Sequence, residues 1–211
     1  MAEQNKMIYF DMRARGETIR MLHALAGEKL AEDRLDASKW PQIKSTIDAP
    51  LGQLPIYTTN KGRLCHSTTI SRYVAKKFGL VGEGLWNETL NDLVAETLQE
   101  FVNSFIPKVF SWKVRKRRPE PVDGEKLVEE AKKDLLRRLA YIRTLKTGEH
   151  NFLFSDQIQL ADVWVYTTLE WVRPVYPDTM EITPWIKEFV LNFESDPVIC
   201  KYLADRPITA I

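Results

Sequence analysis

Apolar residues change their spacing repeatedly up to Phe78 and settle into long stretches of helical period beyond Trp86. Met7-Ile8-Tyr9-Phe10 is a short apolar, aromatic run suited to a buried strand. Between Glu17 and Ala26 the period changes. Ile19, Leu22, His23 and Ala26 share one helical face, and Gly27 is placed to end that helix. Leu30 to Leu35 predicts a second strand, and Pro41 favours a turn or a short helix start within Lys39 to Ile47. Leu54 to Thr58 and Arg63 to His66 flank the turn cluster Thr59-Asn60-Lys61-Gly62, which reads as an antiparallel hairpin. Ser67 is then expected to cap a helix whose apolar face holds Ile70, Tyr73, Val74 and Phe78, with Gly79 at its end.

Past a linker at 80–86 the pattern is helical almost throughout. Leu90, Leu93, Val94, Thr97, Phe101 and Phe105 recur at steps of three and four, marking a long helix from about Glu88. Leu127 to Leu145 predicts a second long helix after the Pro119–Pro121 break, and Leu160 to Val172, Pro184 to Asn192 and Asp196 to Leu203 predict shorter ones. The expected organisation is an α/β domain over 1–79 and an all-helical domain over 87–211, meeting in a cleft of the kind that often holds ligands.

Composition adds exclusions. With 30 basic against 29 acidic residues in 211, the chain has no long-range field to gather nucleic acid or anionic membrane. The basic run Lys113-Val114-Arg115-Lys116-Arg117-Arg118 reads as the solvated end of a helix before Pro119, where positive charge suits the helix dipole. The polar N-terminus lacks the long uncharged segment of a signal peptide or a membrane-spanning helix. Cys65 and Cys200 stand outside any paired spacing, so neither a disulfide framework nor a metal site is expected, and a cytoplasmic location is.

Several segments, in order and at suitable spacing, carry a resemblance. Tyr9-Phe10-Asp11-Met12-Arg13-Ala14-Arg15-Gly16-Glu17 is similar to the tyrosine-bearing first strand and turn of sigma-class glutathione transferases. Trp40-Pro41-Gln42-Ile43-Lys44 resembles that class's tryptophan–lysine segment, Gly52-Gln53-Leu54-Pro55 its cis-proline turn, and Ser67-Thr68-Thr69-Ile70-Ser71-Arg72-Tyr73 its glutathione-binding helix start. Asp162 resembles a helix-capping aspartate of the second domain. The likeness spans nearly the whole chain and extends to nematode and flatworm transferases and to prostaglandin D synthases of the blood-cell type. It implies a thioredoxin-like first domain followed by an all-helical one.

The resemblance also assigns roles. Tyr9, with Arg15 nearby, would be the catalytic pair that holds glutathione, the co-substrate, as its thiolate. Leu54, before a cis Pro55, would offer backbone groups to the cysteinyl unit. Ser67 would hold the γ-glutamyl carboxylate, with His66 beside it, while Trp40 and Lys44 would reach the glycyl carboxylate and Gln53 would contribute at the rim. Glu100 would come from the partner subunit of a homodimer to meet the γ-glutamyl ammonium. Phe10, Met12, Ala14, Gln99 and Trp164 would line the pocket for hydrophobic electrophiles.

At three positions the chain departs from the pattern. His66 replaces the usual Gln or Glu, Ala14 a common glycine at the pocket mouth, and Gln159 the usual Ser or Thr cap, an exchange expected to cost about 1 kcal/mol. Two other activities fit the same resemblance: a glutathione-dependent prostaglandin D synthase and a non-catalytic ligand-binding or structural member of the fold.

Overall fold

The computed structural model describes residues 5–180, 183–209 and 211. Contacts divide the chain into two compact units, one of residues up to Leu80 together with Asp196–Ile211, the other Val81–Ser195.

The first unit is built on a four-stranded sheet of order β2-β1-β3-β4, from β1 (Lys6–Phe10), β2 (Ala31–Leu35), β3 (Ile56–Thr59) and β4 (Gly62–Cys65). β1 is central, parallel to β2 and antiparallel to β3, and turns Met7 and Tyr9 into the core. It is flanked on both sides over Lys6–Ile8, while Tyr9 and Phe10 pair with β2 alone, and a strand inside a sheet suits a near-continuous apolar run. β3 is one residue shorter than the pattern predicts and starts only after Pro55, which has no N–H to give a ladder, while β4 keeps its predicted length and lies one residue earlier.

Helix α1 (Glu17–Leu25) follows a 3-10 turn at Ala14–Gly16. The expected single apolar face is an understatement, because every residue from Glu17 to His23 is buried. Helix α2 (Trp40–Ile43) does form, with Pro41 in its first turn, where a missing N–H costs nothing. Helix α3 (Ser67–Lys77) completes the run of the chain to Leu80.

In the second unit, helix α4 (Gly84–Phe105) begins ahead of Glu88 and takes in part of the expected linker. It passes into a π-helical turn at Ile106–Phe110, where Pro107 removes one donor from the helical ladder, and then into the short helix α5 (Ser111–Lys113). The helix thus ends at the first residue of the basic run, earlier than expected. Only Lys113 is helical, and Arg115 lies over the rings of Phe110 and Trp171, 5.3 and 5.6 Å from their centroids.

Helix α6 (Gly124–Thr144) precedes α7 (Leu160–Val172), whose residues are all buried, and α8 (Pro184–Ser195) stacks Phe193 on Tyr166 with centroids 4.4 Å apart. Helix α9 (Pro197–Asp205), capped by Asp196 through the N–H groups of Val198 and Ile199, returns to the first unit and packs on α1. Among the described residues no helix is long and apolar enough to cross a membrane, and no three His, Cys, Asp or Glu side chains are grouped to hold a metal.

The N-terminus of α7 is closed by side chains. Asp162 accepts from the N–H of Gln159 (2.8 Å) and of Leu153 (3.0 Å). Asn91, fully buried, accepts from the N–H of Ala161 at 2.9 Å and donates to Gln159 Oε1 at 2.8 Å. Gln159 Nε2 donates to Ser155 Oγ at 3.1 Å. Gln159 is thus tied into this end of the helix rather than a simple loss: Asn91 takes on part of the capping, and the glutamine orients Asn91.

Candidate functional site

Strand register gathers the predicted residues of the first unit at one end of the sheet. Phe10 pairs with Leu35, Ile8 with Ile56, and Ile56 with Cys65. Where β1 and β2 finish, β3 therefore begins and β4 ends. The segments leaving those strand ends are the Asp11–Gly16 turn, the Asp36–Lys44 stretch, Gln53-Leu54-Pro55 and His66-Ser67. Four pieces distant in sequence share one rim because parallel and antiparallel pairing fix their ends.

Tyr9, the penultimate residue of β1, is 4% exposed, and its hydroxyl accepts from the backbone N–H of Arg15 at 3.1 Å. Its ring lies against Gly16, where an added Cβ would come within 2.6 Å of Tyr9 Cδ1. Glycine is required there by contact, not by backbone angle. Burial pulls the Arg15 guanidinium below its usual pKa, with Tyr9 acting in the opposite direction. It remains a cation, since arginine does not lose its proton in proteins.

Ala14 is buried with φ +40, a backbone angle that favours the glycine it replaces. Phe10 is half-buried and meets Trp40 edge-on, with ring centroids 5.4 Å apart. Met12 is also half-buried.

Lys44 is exposed and arches over Gly52: a Cβ there would lie 3.0 Å from its Cε and 3.3 Å from its Nζ. This holds an ammonium beside the Gly52–Pro55 loop, in which Gln53 is exposed and the Leu54–Pro55 peptide is cis. No hydrogen bond among the described residues engages the Leu54 N–H or C=O.

At α3 the cap differs from expectation. His66, exposed and at φ +66, occupies the N-cap position, with its C=O accepting from Ile70 N–H at 2.9 Å. Ser67 is the first helical residue rather than the cap. It is 6% exposed, and neither its hydroxyl nor its N–H has a partner among the described residues. Helix geometry explains the shift: β4 runs to Cys65, so one residue must turn the chain, and that residue is His66.

The remaining predicted residues belong to the second unit. Glu100 is exposed and accepts from Arg138 Nη1 at 3.1 Å. Gln99 is buried and donates to Asn103 Oδ1 at 2.6 Å, and Trp164 is 5% exposed.

Sequence reading passes over a network that adjoins Tyr9. Arg20, 7% exposed, donates through Nη1 to Met12 O (2.9 Å) and Arg13 O (3.4 Å) and through Nε to Glu32 Oε1 (2.8 Å). Its guanidinium lies 5.9 Å from the Tyr9 ring centroid. Glu17, 2% exposed, accepts from Tyr202 Oη (3.0 Å) and Arg206 Nη1 (2.7 Å) on Oε1, and from Arg20 Nη1 (3.4 Å) on Oε2. One signal was available: Glu17 and Arg20 are spaced i, i+3 at a helix start, directly after the tyrosine turn. Their burial was not, because it is imposed by α9 from the far end of the chain.

The architecture is that of the glutathione S-transferases: a four-stranded α/β unit followed by a helical one. Residues 108–206 match the family model described as Glutathione S-transferase, C-terminal domain. Glutathione S-transferase 3 of Caenorhabditis elegans is 29% identical over 97% of both chains, and the haematopoietic prostaglandin D synthase of Gallus gallus is 28% identical over 98% of both. The crystal structure of monomeric Na-GST-3, a glutathione S-transferase of the hookworm Necator americanus, superposes with a TM-score of 0.82 at 28% identity, covering 99% of this chain and 100% of that one. Over nearly its whole length the chain is thus similar to glutathione S-transferases, at 28–29% identity.

Proposed function

We propose that this chain is a sigma-type glutathione transferase that joins the thiolate of glutathione to hydrophobic electrophiles, with Tyr9 stabilising the thiolate. One observation carries the reading: strand register brings a buried tyrosine, an unengaged backbone N–H and C=O at Leu54, and the open N-terminus of α3 to one rim of the sheet. A γ-glutamyl tripeptide needs those three things.

Its thiol ordinarily ionises near pH 8.5, so only a few per cent is nucleophilic at neutrality. Each unit of depression corresponds to about 1.4 kcal/mol and nearly tenfold more nucleophile. The Tyr9 hydroxyl accepts from Arg15 N–H, and accepting one hydrogen bond strengthens the one it would donate to sulfur. Arg15 adds a partly desolvated positive charge nearby. The Leu54 backbone would pair with the cysteinyl unit as one residue of added strand. Ser67, at a helix start where free N–H groups and the dipole favour anions, would take the γ-glutamyl carboxylate, with His66 beside it. Trp40 and Lys44 would hold the glycyl carboxylate, with Gln53 contributing at the rim.

Phe10, Met12, Ala14, Gln99 and Trp164 would form the electrophile pocket. Glu100 would complete the site across an isologous homodimer interface. Sedimentation decides that point, since the Necator relative is described as monomeric. Detoxification in the cytoplasm is the setting this reading implies, in keeping with unpaired Cys65 and Cys200.

Steady-state conjugation of glutathione to a chlorinated nitrobenzene tests the proposal. Tyr9→Phe is expected to lower kcat by about 10²-fold, and a variant with full activity would remove Tyr9 from the mechanism. The avian relative supports a second reading, isomerisation of prostaglandin H to prostaglandin D by the same thiolate. An assay with that substrate, run beside the first, separates them.

A further inference from the structure

Charges alternate in sign along one chain of contacts beneath the tyrosine turn: Asp11, Arg34, Glu32, Arg20, Glu17, Arg206. At its centre the Arg20 Nη1 is shared. It donates to Met12 O at 2.9 Å, and at 3.4 Å to both Arg13 O and Glu17 Oε2. The first two acceptors belong to the turn that delivers the Arg15 N–H to the Tyr9 hydroxyl. The third is a buried carboxylate with a separate claim on the same group.

How strongly Glu17 pulls depends on what else satisfies it. Tyr202 at 3.0 Å and Arg206 at 2.7 Å, both from the C-terminal segment, supply donors to its other oxygen. A buried carboxylate deprived of a cationic partner draws harder on the one that remains. Removing Tyr202 and Arg206 would therefore draw the Arg20 guanidinium toward Glu17 and away from the carbonyls of Met12 and Arg13.

We propose that Arg20 is a positioning residue for the Tyr9 hydroxyl, and that α9 sets its position through Glu17. The C-terminal segment thereby governs how well Tyr9 donates to the sulfur, without itself touching substrate. This inference rests on the thiolate role given to Tyr9 above.

The double substitution Tyr202→Phe/Arg206→Met in the full chain is the test. At saturating glutathione, kcat is expected to fall about tenfold, and the thiolate absorbance of bound glutathione to fall with it. KM for glutathione should stay within about twofold, because the groups that grip the tripeptide are untouched. Arg206→Lys, with Tyr202 retained, should recover most of the lost kcat. Lowered heat stability with unchanged kcat and thiolate absorbance would overturn the proposal and leave the network a purely structural one.

Should the double variant fail to fold, Tyr202→Phe alone, which deletes one hydroxyl and no volume, is expected to lower kcat about threefold; an unchanged value overturns the proposal equally. Tyr9→Phe in the same series keeps the two questions apart. If it is fully active, the thiolate reading fails; if it is impaired while the α9 variants are not, only the present inference fails.

Discussion

The N-termini of α3 and α7 begin from the same problem and end differently. Each helix presents backbone N–H groups that the helix itself cannot use. At α7 they are met by Asp162 and Asn91, both fully buried, in a region closed to water. At α3 no side-chain bond from the N-cap residue caps the helix, and Ser67 and its N–H have no partner among the described residues. The open end lies on the rim with Tyr9 and Leu54, and the closed end lies inside a helical core. A satisfied cap contributes stability, and an unsatisfied one on a site rim is available to a ligand's anion.

Substitutions at the two ends should therefore read out in different assays. The largest effect belongs to the closed end. Asp162→Ala strands the N–H groups of Gln159 and Leu153 in the core and is expected to lower unfolding free energy by about 4 kcal/mol. Urea denaturation measures this, while glutathione KM of the folded fraction stays unchanged.

A pH series sharpens the same point. Burial pushes the Asp162 carboxyl up to about 7, outweighing the backbone donors that favour the carboxylate. The folded state then keeps its proton where the unfolded chain, near pH 4, has lost it. Between those values the native state binds more protons, so this group's contribution to stability is full below pH 4, declines as pH rises, and levels off above 7. The slope is at most about 1.4 kcal/mol per pH unit. Denaturation midpoints of the parent should fall across that window relative to Asp162→Asn, which has no proton to lose; parallel curves would contradict the assignment.

The smallest effect, and the functionally selective one, belongs to the open end. Ser67→Ala removes a hydroxyl that bonds to none of the described residues, so stability should move by less than about 0.5 kcal/mol. KM for glutathione is expected to rise about tenfold, the loss of one hydrogen bond to a charged group. A change in stability with no change in KM would mean that the end is not open to ligand at all.

Much of the first unit was legible because its signals are local. Met7 to Phe10 forms the expected strand, with Met7 and Tyr9 buried and Ile8 and Phe10 half-buried, and the hairpin turn and Gly79 punctuate where they should. At α3 propensity favours Ser67 as the cap, but the strand end at Cys65 leaves that position to His66. Gln159 looked like a poor cap when judged alone, but its partner Asn91 is distant in sequence. The Glu17–Arg20 pair escaped notice for the same reason, since the helix covering it comes from the C-terminal segment.

By itself the sequence determined the kinds and order of elements, the residues able to bear the chemistry, and the absence of any charge excess. Periodicity, turn residues and composition act over a few neighbours, so they can be read without coordinates. Only the tertiary structure decided which of those residues share a rim, which helix end stays open, and which charges are buried against one another. Those outcomes depend on strand register and on packing between segments far apart in the chain, where contact and the loss of water, rather than local preference, set the energies.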